Sequence, residues 1–523
     1  MWSMERLHHR TSPHPLLIAA VSTFFWSCSL TATAESSAIG LSMASQALTS
    51  LERGKGSITS DNLRSRADDC FKRGEVKQAI AAYRSAIVAN SRDARNYYGL
   101  AVALDAVGAL GEERDALKRI SQLDASFAPA HNQLGLLDMK EKKINAAETE
   151  LEAALSLDPH YAEAKNNLGV LIWHSGQNAR AEKLLRQAIA DNAGYVQAMV
   201  NLGSLEASQE HFAEADAVLK QALAIAPLDL DALTEDAMVL IKLDRNSDAV
   251  VAFRKAVEIA PKGAEAHVNL GIALATIADL DGALSEFTEA LNLDPKEGIA
   301  HYNRGRVLAD MRRYPEAKNE LETAVRLNAN NAEWWSTLAD MTRTTGDTEE
   351  SIHGYRVAAE LDPKSAKRHF DLGQALQSAG DTKSAIAQWR ESLTLEPTHR
   401  AALYALSRAL IRTQPEEAKQ LQARIAELIS LETASDESKA IGNDALAAAT
   451  AKDWPRAIAQ LHAAIERCGE CDAKPLLHKN LGLVYCQSGD LKHGESELLE
   501  AKKLLPRDGD VAKALEILRS RSK

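Results

Sequence analysis

Apolar and small residues recur along this chain at offsets of three, four and seven, and the pattern returns every 34 residues. In residues 264–297 the first stripe is His267, Leu270, Gly271 and Leu274, which marks one face of an α-helix. A turn follows near position 15 of the unit, where Gly74, Gly108, Gly176, Gly346 and Gly380 fall in their respective copies. A second helical stripe then occupies positions 20, 24 and 27, as in Ala283, Phe287 and Ala290. Ten such copies fill residues 60–399 without insertion or deletion. Position 8 is Gly or Ala in all of them, and positions 20 and 27 are Ala in eight of ten. Glu113 and Ser351 break the rule at position 20, and Ile120 and Ser392 break it at position 27. Proline closes six units, because it cannot continue a helix.

This pattern predicts an all-α solenoid of antiparallel helix pairs. A small residue at position 8 facing Ala at position 20 lets the two helices of a pair approach closely. Ala at position 27 leaves room for the next pair. Each pair is apolar on both sides, so neighbours must stack to bury it. Register fails after residue 399. Residues 400–437 read as a degenerate helix pair and a polar hinge, with Glu432 to Lys439 as a loop. Two further copies are expected within 438–508, and 509–523 form a charged capping helix.

The unit resembles the tetratricopeptide repeat, a motif degenerate in one copy but specific over ten. The resemblance implies a right-handed superhelix, with the first helix of each pair lining the concave side. It also implies a protein-binding scaffold, not an enzyme. No Gly-rich phosphate loop, nucleophile elbow or metal-ligand spacing occurs in the sequence, and no cofactor is expected.

On the first helix, positions 2, 6, 9 and 13 lie opposite the packing stripe. Position 6 reads Gln133, Asn167, Asn201, Glu235, Asn269, Asn303, Thr337 and Asp371 in copies three to ten. An Asn amide offers both donor and acceptor, so a row of them can pair with an extended backbone without reading its sequence. The row is similar to the asparagine ladder of O-linked N-acetylglucosamine transferases. The candidate peptide-binding residues are therefore Asn167, Asn201, Asn269, Asn303, Glu235 and Asp371, with Tyr302 and Trp173 as apolar anchors. Some members of the family clamp a C-terminal carboxylate with paired Lys and Arg, and no three consecutive copies here match that set. Glu163, Asp231 and Glu265 tilt the face acidic, so a neutral or basic peptide segment is the expected partner. Histidines recur at position 4, as His131, His267, His301 and His369, where packing and not metal binding is expected.

A net charge of −12 argues against nucleic acid as the partner. Residues 1–34 read as a secretory signal peptide of bacterial type: Arg6 and Arg10, an apolar run, then Ala32-Thr33-Ala34. The alternative is an uncleaved anchor, although ~16 apolar residues fall short of the ~20 that span a bilayer. Residues 35–59 read as a linker. Export places the chain in the periplasm or outside the cell, and makes a Cys468–Cys471 disulfide the leading reading of that pair, with free thiols as the alternative. Three functions remain open. The leading one is an exported adaptor for extended protein segments. The others are a structural part of a secretion or polysaccharide-export machine and, remotely, the substrate-recruiting arm of a glycosyltransferase.

Overall fold

The structure, a computed structural model, describes residues 59–506 and 508–521. The signal-peptide and linker readings of residues 1–58 lie outside that range. All regular structure among the described residues is helical. The chain divides into two compact units, Met1–Ile225 and Ala226–Lys523. The first holds five helix pairs, from Ser60–Lys72 with Val76–Ala89 to Val196–Ser208 with Phe212–Ile225. The second opens with five more, from Leu230–Lys242 with Asn246–Ile259 to Ala366–Ser378 with Thr382–Leu395. Within each unit every helix packs on its predecessor and its successor in the chain. Each 34-residue window of residues 60–399 holds one pair of helices.

The interlock differs in detail from the small-against-small contact expected above. The missing Cβ of the position 8 glycine points first at the bulky side chain of position 24, not at Ala of position 20. A Cβ on Gly135 would fall 2.6 Å from Leu151, on Gly203 2.6 Å from Leu219, and on Gly271 2.7 Å from Phe287. Leu151, Leu219 and Phe287 are fully buried. The glycine is thus a socket for a large residue, and the backbone of position 20 forms its wall: Ala147 O lies 3.3 Å from the Gly135 Cβ position.

Position 15 is left-handed whatever the residue. Five copies use glycine there, and the other five place Lys142, Glu210, Asp244, Ala278 and Arg312 at φ of 58 to 65°. The turn geometry overrides the ordinary cost of about 1–2 kcal/mol for a side chain in that region.

The C-terminal part corrects the expected hinge. Pro415–Thr450 is one helix of 36 residues, and it runs straight through Glu432 to Lys439. Between its initial Pro415 and Gly442 the segment has no Pro or Gly to stop it. Ser435, Ser438 and Gly442, at i, i+3 and i+7, share one buried face. These residues make room for the helix Lys474–Ser488: a Cβ on Gly442 would sit 2.9 Å from Leu477. The polar residues that suggested a loop are used sideways, in ion pairs of Glu432 with Arg400 and Glu437 with Arg467. Cys468 and Cys471, both buried, are joined by a disulfide with Cα atoms 5.0 Å apart. Val511, Leu515 and Leu518 of the last helix, Gly509–Arg521, close over Leu498 and Ala501.

Candidate functional site

Stacking of first helices brings position 5 of one repeat beside position 6 of the next. In the first unit this forms a continuous chain of four asparagine amides. Asn201 Nδ2 donates to Asn166 Oδ1 at 2.8 Å, Asn166 Nδ2 to Asn167 Oδ1 at 3.3 Å, and Asn167 Nδ2 to Asn132 Oδ1 at 2.9 Å. Asn167 and Asn201 are half-buried, whereas Asn132 and Asn166 are buried. The two expected ladder residues therefore lie in successive repeats, each with one N–H committed between repeats. A carboxamide with one proton and one lone pair engaged retains a second of each. The supporting Asn132 and Asn166, one position earlier, were missed in the sequence, because their partners lie 35 residues away.

Gln133, at the same register, is withdrawn instead. It is buried, and its Nε2 donates to Glu113 Oε1 at 3.0 Å. Glu113 stands where eight copies have Ala, fully buried, and its Oε2 has no hydrogen-bond partner. Burial pushes its carboxyl up to about 7, against the opposing hydrogen bond from Gln133.

In the second unit the expected residues are less alike. Asn269 is half-buried. Asn303 is buried and its Nδ2 turns back to Ile299 O of its own helix at 3.0 Å. Glu235 is half-buried. Asp371 accepts from Lys367 at 2.7 Å, and burial holds its carboxyl above the usual range. Tyr302 stacks on Trp334 with ring centres 5.3 Å apart, its hydroxyl 3.2 Å from Thr337 Oγ1. Trp173, in the first unit, packs on the core around Leu171 and stacks on His174 at 5.5 Å. Both anchor rings are thus already engaged. Burial raises the Asp231 and Glu265 carboxyls, and for Glu265 the charges of Glu297 and Asp231 add to it.

The position 4 histidines are braced within the stack. His267 and His301 set Nδ1 2.7 Å from Glu286 and Glu320, and Nε2 3.2 Å from the carbonyls of Pro261 and Pro295. Each ring ties the two helices of its repeat to the proline that closes the one before.

A second cluster on the first unit escaped the sequence reading. Phe127, Tyr161 and Tyr195 hold the last position of copies two to four, and each is the N-cap of a first helix. Tyr98 meets Phe127 edge-on at 5.5 Å. The negative charge of Glu163 acts on the phenols of Tyr98, Tyr161 and Tyr195. Burial first, with that charge adding to it, raises all three phenols above their usual range, so their hydroxyls remain donors. The signal was an aromatic residue at the same place in three consecutive copies.

Models of the tetratricopeptide repeat match residues 65–126, 138–202, 196–227, 234–300, 278–341 and 370–423, together more than half of the chain. No curated protein matches it. Among solved structures, the chain is similar to YrrB, described as a TPR protein with an unusual peptide-binding site, at 24% identity. That alignment covers 34% of this chain and 92% of YrrB, with a TM-score of 0.30. MamA of Desulfovibrio magneticus RS-1 aligns at 24% identity over 32% of this chain and 96% of its own, TM-score 0.30. The APC/C hetero-tetramer Cut9–Hcn1 aligns at 15% identity over 91% of this chain and 98% of that one, TM-score 0.37.

Proposed function

The chain belongs to the tetratricopeptide-repeat family, whose members are protein-interaction scaffolds, and we propose that it is an exported adaptor gripping extended protein segments along the first-helix face. The observation that carries this reading is the chain of amides through Asn132, Asn167, Asn166 and Asn201. Pairing between repeats fixes the orientation of Asn167 and Asn201, and a pre-oriented amide loses less entropy when a peptide backbone binds. The leftover donor and acceptor of each suit the N–H and C=O of an extended strand. Affinity then comes from many weak contacts along a surface, with little dependence on guest sequence. Acidic Asp231, Glu265 and Glu297 in the second unit favour a neutral or basic guest.

Replacing Asn167, Asn201 and Asn269 with Ala tests the grip. Crosslinking in the native cell envelope is expected to lose the partner adducts of the parent chain, while helix content stays unchanged. Retained adducts contradict the reading. They favour the second one, a structural element of an envelope machine, in which the amide chain serves to join one repeat to the next. Export has its own test: the mature protein recovered from its bacterial host is expected to begin at Glu35, and an intact Met1 contradicts cleavage.

A further inference from the structure

Glu113 is a poor fit to its place in the first unit. It stands at position 20, where eight copies have Ala, and it is fully buried. One carboxyl oxygen accepts from Gln133 Nε2 at 3.0 Å, and the other has no hydrogen-bond partner. The neutral acid is the favoured form there, since burial raises the carboxyl to about 7. The ionised form puts a full charge among packed helices with one oxygen bare, an arrangement that is costly in any protein interior.

The charged groups around it offer little relief. On its own helix, Leu110–Leu123, Arg114 is committed to Asp138 at 2.7 Å and to Glu141 at 2.8 Å. Lys140, at the end of Ala128–Lys140, pairs with Asp105. Asp105, at the end of Ala94–Asp105, adds its own negative charge to the cost. Both cations therefore act on Glu113 only through their charge, and both are already engaged elsewhere. The joint that holds Glu113 is also slight. Within the first unit, the contact between Leu110–Leu123 and Ala128–Lys140 is smaller than that between any other two successive helices. A charge without a counter-ion thus falls in the joint with the least packing to lose on opening.

We propose that ionisation of Glu113 breaks its bond to Gln133 and opens the joint between the second and third repeats, so that this joint is closed in acid and loosened above neutrality. The carboxylate gains water, and Gln133 regains both N–H groups. The sign follows from the raised carboxyl. Closure is complete below about 4.5, weakens as pH climbs, and levels off above about 7, once the carboxyl is ionised in the closed joint as well. The device needs no guest. Its consequence for one rests on the groove reading, since a released Gln133 stands at the register of Asn167 and Asn201.

Hydrogen–deuterium exchange of the full-length chain tests this, with protection factors corrected for the intrinsic pH dependence of exchange. Amides of residues 110–140 in the parent are expected to lose protection roughly fiftyfold between pH 5 and pH 8. Glu113→Gln, which cannot ionise, should hold its protection there to within about threefold. Glu113→Ala, which installs the residue of eight other copies, should do the same. Residues 162–225 of the same unit should change by less than about threefold in all three proteins. A parent as insensitive to pH as Glu113→Gln overturns the proposal. So does a loss of equal size across residues 162–225, which would be a weakening of the whole unit and not of one joint. Either result leaves the groove reading where it stands, because no peptide is present. Retained crosslinks in the asparagine variant bear on that reading alone.

Discussion

Single side chains decide the local stability of this fold in ways that run against their usual propensities. Ala278 and Arg312 sit left-handed at φ of 60°, where glycine carries no penalty. Ala278→Gly is therefore expected to stabilise the chain by about 1 kcal/mol, read as a rise in melting temperature, although glycine ordinarily weakens a helical protein. Glu113 carries the opposite strain. Its carboxyl is raised from 4.5 to about 7 by burial, so the neutral form is favoured in the folded state. The charged form begins to cost stability as pH climbs past about 4.5, and the cost is complete near 7. Glu113→Gln removes it. The variant should match the parent at pH 4.5 and exceed it by about 2–3 kcal/mol at pH 8. A difference that does not change with pH contradicts a buried, neutral Glu113.

The helix pair is the unit in which the sequence was most legible. Gly and Ala at positions 8, 20 and 27 announce close packing, and each 34-residue window of residues 60–399 holds a helix pair. The socket was less legible, because composition at one position does not say which residue fills the space. The filler is the large residue at position 24, and Gly203→Val pushes into Leu219, already within 2.6 Å of a Cβ there. Overpacking of about 1–3 kcal/mol is expected, seen as a lower denaturant midpoint, and no loss would remove the socket. The misread hinge has a different cause. Serine clusters suggest loops, but Ser435 and Ser438 are chosen for size on a helix face that meets another helix. Ala434→Pro separates the two views. A loop accepts proline, whereas the interior of Pro415–Thr450 should lose about 3 kcal/mol or more and helical circular dichroism with it.

At the scale of the whole molecule, helix pairs repeated along the chain present the same positions again and again. The asparagines of position 6 were legible because they recur in step. Their position 5 partners, and the tyrosine cluster, were not, since their contacts join residues from different repeats that no local pattern links. Asn303 and Gln133 show the limit of the pattern, for each has the expected residue type but turns its amide onto its own helix or onto Glu113. The central claim is that partners lie along the first-helix face. Site-specific photocrosslinkers in the native envelope test it, placed at exposed Gln197 and Lys367 on first helices and at exposed Lys220 and Arg254 on second helices. Partner adducts from positions 197 and 367, with none from 220 and 254, are the predicted result. Adducts of equal yield from all four sites, or from the second helices alone, would contradict it.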